Sequence, residues 1–535
     1  MADILSIGAS ATQLYKSALS TVGNNIANLN TEGYTRQVAN SAENIPTAQG
    51  SMFVGAGARL ASVTRAFNAF TESNLRDSSS ELGTQEPLIK YADRIVDILG
   101  AQNSGLSDAF DKFFASASDL SSDPASTTLR NVFLRDADGL AVRFRDLSAE
   151  LTSIKDETQT AISQQLTSLN ELTKQLFNVN EQLEKKATVD EQPPVLLDQR
   201  DKLLREMAKL TKIHVNENTS GSVEVRLDSD SGTVVVDKLR TTEFSVNLDD
   251  SGQIEILANV YGNPSPTNSL TGGSIGGILN FRNQVLTPAI NDLDALAVST
   301  VTEINAIQTT GVDATGLRGT NLFDPDVETL GAAGFALLIT NPTKIAAAGL
   351  AKITAGATNS GNAKVSYDTV PPGTETPTFV LSYSNANGYS IDGTNIILDD
   401  NGRFSFGGIT YTILGNASDG DTFTVGLNSN ASGDNRNIRQ LAKLQTEKVL
   451  EGDRSLNDGY LDLVGEVGNA SALAKITQGA LQVVYDQAAE AKDKVSGVSL
   501  DQEAADLIRF QQAFQASAQI IQASSKMFDS ILSIR

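Results

Sequence analysis

The segment from Ser499 to Arg535 constrains this chain more than any other. Leu500, Ala504, Leu507, Gln511, Phe514, Ala518, Ile521, Ser525, Phe528 and Leu532 follow one another at alternating steps of four and three. That is the a/d seam of a coiled coil. No Gly or Pro interrupts the run after Gly497, and Asp501, Glu503 and Asp506 occupy the first turns, where the helix dipole favours anions. At 1.5 Å per residue the helix would be roughly 50 Å long. A rod of that length cannot hide its seam against itself and needs a partner. The first residues supply one. Ile4, Ile7, Ala11, Leu14, Ala18 and Thr21 repeat with the same three–four spacing until Gly23-Asn24-Asn25 breaks it. The spacing predicts that the two ends pair and that everything between them is a long excursion.

Composition removes several function classes. Forty-one basic against 64 acidic residues leave a net charge of -23, which argues against nucleic acid or an anionic membrane as partner. No stretch of 18 or more apolar residues is present, so no membrane insertion is expected. The N-terminus lacks a basic region followed by an apolar core, so no cleaved Sec-type signal is expected. Without Cys there are no disulfides, thiolate metal sites or thiol nucleophiles. The single histidine, His214, has no motif partner for catalysis or metal binding. No dinucleotide, phosphate-loop, zinc-protease or nucleophile-elbow pattern is found. The expectation is a non-enzyme with no catalytic residues, no cofactor and no metal site.

Between the ends the periodicity changes repeatedly. Leu88, Tyr91, Ile95 and either Ile98 or Leu99 are at helical spacing, as are Leu106, Phe110, Phe113, Phe114 and Ala117. From Leu129 to Leu183 the only Gly is Gly139, and Leu140, Phe144, Leu147, Leu151, Ile154, Leu166, Leu169, Leu172, Leu176, Val179 and Leu183 draw a long apolar stripe. Period-two alternation begins near Lys212, at Val223, Val225 and Leu227 and again at Phe244, Val246 and Leu248. A helix returns at Thr271, with Pro288 predicted to kink it. Alternation resumes around Phe379, Phe404 and Phe423, and helix dominates after Leu444.

The resulting expectation is a multidomain α+β chain. An inner α-helical terminal domain takes residues 1–65 and 498–535, coiled-coil-like in character. A long-helix bundle takes 66–211, 271–312 and 433–497. An outer antiparallel β domain at 212–270 and a second β-rich one at 313–432 are inserted in it. This order suits a subunit that stacks its helices with neighbours.

One short motif is more specific than its physics. Asn24 to Gln37 reads NNIANLNTEGYTRQ, which generic reasoning makes a helix end followed by a turn-rich loop. Its Ala27, Asn28, Thr31, Gly33, Tyr34 and Arg36 resemble the N-terminal signature of the axial proteins of the bacterial flagellum, the rod and hook family. Further segments are similar to the members of that family that join hook to filament: GGSIGGILNFRNQVLTPAINDLDALA, INAIQTTGVDATGLRGTNLF with Asn305, Gly311, Asp313, Gly316 and Phe323, SGDNRNIRQL, and the C-terminal helix.

The resemblance implies a structural subunit that forms a ring at the first hook–filament junction, with hook protein below and a second junction protein above. It implies export, unfolded and without cleavage, through the flagellar type III apparatus to an extracellular site. A cytosolic export chaperone would bind the C-terminal helix at Leu500, Ala504, Leu507, Phe514, Ala518, Ile521 and Phe528. In the free monomer the Leu507, Phe514, Ile521 and Phe528 seam would lack a neighbour. The alternatives are another axial component, hook protein or the second junction protein, and a secreted adhesin with a coiled-coil stalk.

Overall fold

The computed structural model describes residues 2–49, 52–100, 105–249, 253–367, 370–371, 374–375, 377–429 and 431–533. The long periodic segments are helices: α1 (Ala2–Ala27), α2 (Ala69–Leu99), α3 (Leu106–Ser122), α4 (Thr127–Leu183), α5 (Pro194–Leu210), α6 (Gly273–Phe281), α7 (Thr287–Thr309), the single turn α8 (Val327–Leu330), α9 (Arg436–Lys443), α10 (Leu456–Ser496) and α11 (Leu500–Leu532). Helix α4 runs for 57 residues, about 85 Å. Gly139 costs it about 1 kcal/mol of propensity, which burial of the Leu and Phe stripe around it outweighs. Where Pro288 predicts a kink, the backbone between α6 and α7 widens into π geometry over Arg282–Leu286. Pro288 cannot donate to the carbonyl of Gln284 inside that segment, and the wider turn absorbs the loss.

The chain divides into two compact units, residues 1–90, 156–282 and 471–535 in one, 91–155 and 283–470 in the other. Residues assigned from sequence to one helical bundle are therefore shared between two cores. Helices α2, α4 and α10 each begin in one unit's range and end in the other's.

In the first unit β1 (Gln37–Glu43) pairs antiparallel with β4 (Ala58–Arg65), and a hairpin of β2 (Thr47–Gln49) and β3 (Met52–Val54) lies between them in sequence. Two further antiparallel sheets follow: β5 (Ile213–Glu217), β6 (Val223–Leu227) and β7 (Val234–Val236), then β8 (Glu243–Leu248), β9 (Ile254–Val260) and β10 (Asn263–Pro266). Side-chain amides on α4 hold both sheets. Asn180 donates to the Val223 carbonyl at 2.7 Å and accepts from its N–H at 3.0 Å. Asn170 treats Phe244 the same way, at 2.8 and 2.9 Å. Each asparagine gives a strand the donor–acceptor pair that a neighbouring strand would give.

The second unit contains the short pair β11 (Gly311–Val312) and β12 (Ala348–Gly349), and two larger antiparallel sheets. The order β13-β20-β15-β16-β17 joins β13 (Ala351–Ala355), β15 (Phe379–Ser384), β16 (Gly388–Ile391), β17 (Thr394–Asn395) and β20 (Thr422–Leu427). The order β14-β19-β18 joins β14 (Lys364–Tyr367), β18 (Arg403–Phe406) and β19 (Ile409–Leu414). Tyr411, Phe379, Phe404, Leu381 and Val425 are buried together in one apolar core. The helices have an aromatic core of their own, in which Phe113 lies 5.3 Å from Phe133 and Phe144 stacks on Phe335 at 4.6 Å.

The INAIQTTGVDATGLRGTNLF segment organises the loop between these cores. Asn305 donates to the Phe323 carbonyl at 2.8 Å and accepts from the N–H groups of Leu322 and Phe323 at 2.8 and 3.0 Å. Asp313 accepts from Thr315 and Leu317 N–H and from Lys344, closing a turn that needs Gly316 at φ +83°. Replacing Asn305 with Ala strands three buried backbone groups. The expected cost is about 3 kcal/mol, seen as roughly 100-fold faster hydrogen exchange at Leu322 and Phe323, with amides of the first unit unaffected.

Candidate assembly site

The two ends of the chain pair in the first unit. Tyr15 and Phe510 rings approach to 6.3 Å, and a Cβ at Gly8 would lie 2.8 Å from Cγ1 of Ile521. Asn25 reaches Glu503 at 2.9 Å. Rising numbers on α1 meet falling numbers on α11, so the pair is antiparallel. Leu14, Ala18, Thr21, Val22 and Asn25 are buried on α1; Glu503, Ser517 and Ser524 are buried on α11. Small residues at Gly8, Ala18, Ser517 and Ser524 let the helices approach closely.

The sequence-predicted seam residues fall on several sides of this contact. Leu14 is buried, Ile7 and Ala11 are half-buried, and Ile4 is exposed. On α11, Leu507, Phe514, Ala518 and Ile521 are half-buried, whereas Leu500, Ala504 and Phe528 are exposed. The side chain of Leu532 lies outside the described residues. The deepest column is Glu503, Phe510, Ser517 and Ser524, one heptad apart, which an apolar-only template passes over because three of its four members are polar. Ile521 rests on Gly8 of the same chain, so this part of the expected unpartnered seam has an internal neighbour.

The motif loop locks onto the same end of α11. Asn28 donates to the Asn24 carbonyl and accepts from the Thr31 hydroxyl. Thr31 N–H bonds to Asn28 O, and Tyr34 N–H to Thr31 O. Gly33 takes φ +84°, and Ala27 ends α1 on its exposed side. Ala27, Asn28, Thr31 and Gly33 thus shape two consecutive turns. Tyr34 and Arg36 do something different, because both reach across. Tyr34 donates to Asn25 Oδ1 at 2.8 Å. Burial, with the negative Asp198 and Glu503 nearby, pushes its hydroxyl up to about 12, so it remains a donor. Arg36 donates through Nε to Glu503 Oε1 at 2.6 Å and through a terminal nitrogen to Asp506 at 3.3 Å. Its own N–H bonds to the Ser496 carbonyl at 2.9 Å. Asn25 fills the centre. It donates to Glu503 Oε2 and to Gln37 O, and accepts from Tyr34 and Gln37 N–H. Spacing alone makes Asn25 a helix breaker and Glu503 a first-turn anion; the structure keeps Asn25 inside α1 and bonds it to Glu503.

A second ion network continues from the loop. Asp198 on α5 accepts from Thr35 N–H at 3.3 Å and from Arg65 at 2.8 Å. Arg65 also reaches Asp201 at 2.8 Å, and Asp201 accepts from Arg200 at 2.7 Å. Burial alone would raise the Asp201 carboxyl, but the Arg200 and Arg65 guanidiniums overcome it and hold it below the ordinary carboxylate range. Loop and α5 together line a cleft of about 380 Å³ that includes Asn28, Gly33, Tyr34, Val195 and Lys202.

Large apolar side chains remain outside these contacts. Ile508 on α11 is 55% exposed and Phe528 56%; on α10 Leu473, Ile476 and Val483 are 66%, 71% and 55% exposed. Residues 473, 476 and 483 recur at helical spacing, so they form a stripe. Among the described residues, no group of three or more His, Cys, Asp or Glu is placed to hold a metal ion. His214 faces Asp230 at 2.9 Å on an exposed hairpin. No helix among the described residues is long and apolar enough to cross a membrane.

Two expected outcomes follow from these networks. In a double-mutant cycle of Arg36→Ala and Glu503→Ala on the full chain, each single change should cost about 3 kcal/mol. The double change should cost well below the sum, read from hydrogen exchange across residues 2–27 and 500–530. Asp201 has a lowered folded-state pKa, so its contribution is complete above its unfolded value near pH ~4. It should disappear as pH falls through the lower folded value, and Asp201→Asn should flatten that acid limb of the stability curve.

The geometry has counterparts among known proteins. The model of the flagellar hook-associated protein FlgK helical domain matches residues 92–323. The flagella basal body rod protein model matches 5–35, and that of the flagellar basal body rod FlgEFG protein C-terminal matches 493–534. These last two cover the paired ends. Flagellar hook-associated protein 1 of Salmonella typhimurium is 28% identical over 581 residues, covering 100% of both chains. Its Bacillus subtilis counterpart is 24% identical, over 98% of this chain and 96% of its own. The structure of the flagellar hook junction protein FlgK from Burkholderia pseudomallei superposes with a TM-score of 0.71 at 20% identity, covering 79% of this chain and 100% of that one. With its two ends, its helical middle and its whole length all matched, the chain is similar from end to end to flagellar hook-associated protein 1.

Proposed function

We propose that this chain is a structural subunit of the bacterial flagellum, forming the ring at the first hook–filament junction on which the second junction protein and the filament are built. The observation that carries this reading is the end-to-end likeness to hook-associated protein 1, in which neither chain has a large part without a counterpart. The structure supports a subunit of this kind. Its antiparallel terminal pair is held internally by Glu503, Asn25 and Arg36, while Ile508, Phe528, Leu473 and Ile476 face outward without cover. A seam that closes within the chain keeps the subunit defined before assembly. The outer stripes are then left for neighbouring copies, where each buried side chain could contribute roughly 1.5–3 kcal/mol, less the entropy of ordering it.

Partners and route extend the same reading. Copies of the chain, hook protein and the second junction protein are the assembly partners. The chain leaves the cell unfolded through the type III export apparatus and acts without catalysis at an extracellular, flagellar location. An export chaperone would bind α11 before it pairs with α1, through Leu500, Ala504, Leu507, Phe514, Ala518, Ile521 and Phe528. The loop of Ala27, Asn28, Thr31, Gly33, Tyr34 and Arg36 serves assembly by fixing the direction in which the terminal pair leaves the rest of the first unit. Ile4, Ile7, Ala11 and Leu14 give the pair its N-terminal half.

Deleting the gene should leave hooks without filaments and shed flagellin monomers into the medium; missing hooks, or normal filaments, would overturn the assignment. Ile476→Asp combined with Ile508→Asp alters only exposed positions. It should leave the isolated chain folded by circular dichroism while abolishing swimming, and retained swimming would show that these stripes are not the assembly face.

A further inference from the structure

Between β1 and β4 the first unit carries a hairpin with apolar groups facing solvent. From Asn44 to Ala58 there is no charged residue, in a sequence that is 20% charged, and Ile45 and Phe53 are 89% and 79% exposed. An exposed strand pair with no charge to guard it invites a partner. The same unit contains a cleft of about 400 Å³, whose larger apolar lining residues are Val63, Phe67, Val189, Pro194 and Leu197. Its walls are held in place. Arg65, ion-paired to Asp198 and Asp201, lies 4.8 Å over the Phe67 ring. Gly221, at φ +84°, lets the β5–β6 turn close on Leu197 and Val189, where a Cβ would meet them at 3.0 and 3.2 Å.

Hairpin and cleft belong to opposite ends of one strand. The hairpin leaves β4 at Ala58, where Asn44 N–H extends the ladder by bonding to Gly57 O at 2.8 Å. The cleft includes Val63, Thr64 and Arg65 at the other end, and a strand of this length places Arg65 about 23 Å from Ala58. Phe53, being 79% exposed, does not fill the cleft of its own chain. A projecting group and a receptive cleft on different patches of one chain make a head-to-tail contact between copies, the kind that closes rings and builds helical stacks. We propose that the β2–β3 hairpin of one copy docks in this cleft of the next, with Phe53 inserted between Phe67, Val189 and Leu197. The inference rests on the reading of the chain as an assembling flagellar subunit, and it adds a second kind of contact to the helical stripes.

The test returns full-length variants to the deletion strain, isolates the flagella and treats them with a short bifunctional maleimide. Gly55→Cys puts a thiol in open space two residues from Phe53, and Thr219→Cys puts one at an exposed position of the cleft; the chain has no other cysteine. The double variant should give a ladder of covalent multimers on denaturing electrophoresis, with positions 55 and 219 joined on peptide mapping. Adding Phe53→Ser should reduce the ladder about tenfold through loss of the buried ring. Gly55→Cys with Leu239→Cys, an 86% exposed position of the same unit, should give no ladder. Restored filaments with no 55–219 ladder, or with one no stronger than the 239 control, would overturn the docking inference and leave the junction assignment standing. Crosslinking of position 55 to a different protein would overturn it in the same way. A chain absent from the isolated flagella would overturn both.

Discussion

The buried carboxylate of Glu503 is the constraint around which the first unit is arranged. It is fully removed from solvent on a helix at the far end of the chain, a position that is costly for a charge without compensation. Arg36 and Asn25 supply that compensation, one through a charge-assisted bond and one through an amide. Both partners come from the opposite terminus. Satisfying one charge therefore fixes the order in which α1, the motif loop and α11 come together. Tyr34 and Gln37 complete the hydrogen bonding of Asn25, leaving little freedom in the angle at which the loop leaves α1.

This arrangement divides labour along α11. Its first turns are held by polar contacts, its middle by ring packing between Tyr15 and Phe510, and its later turns by close approach at Gly8. A purely apolar seam would allow sliding by a heptad, because each register buries similar surface. A buried ion pair at one end penalises every register but one, the best-attested use of polar groups in coiled coils. The apolar residues that do not enter the seam can then face outward without competing for the internal register. The second unit relies on the same device in neutral form, where Asn305 ties the end of a long helix to a distant loop.

Much of this was legible in the sequence where the period was long and uniform. The pairing of the ends, the stripe along α4, the Phe-rich face of α3, the β segments and the disturbance before Pro288 all follow from spacing and backbone chemistry. The family motif was equally visible at Ala27 to Arg36. The register of the terminal pair was not. Reading α11 by apolar residues alone selects Leu500, Ala504 and Phe528, which are exposed, and misses Glu503, Ser517 and Ser524, which are buried. Those residues are buried because they are small or because a partner neutralises them, and neither property shows in a single helix. The division of long helices between two cores was hidden for a related reason. A continuous stripe on α4 does not reveal that its two halves face different partners.

The central claim, that the two ends close on each other within one copy, can be tested in a chain that contains no cysteine. A Cβ at position 8 would lie 2.8 Å from Ile521 Cγ1, which brings these positions within disulfide reach. The measurement is oxidation of the Gly8→Cys, Ile521→Cys chain at high dilution, followed by non-reducing electrophoresis and peptide mapping. An internal crosslink joining the two ends, formed at a rate independent of protein concentration, is the predicted result. Crosslinked dimers whose yield rises with concentration, with no internal product, would show that the ends meet only between copies and would contradict the account.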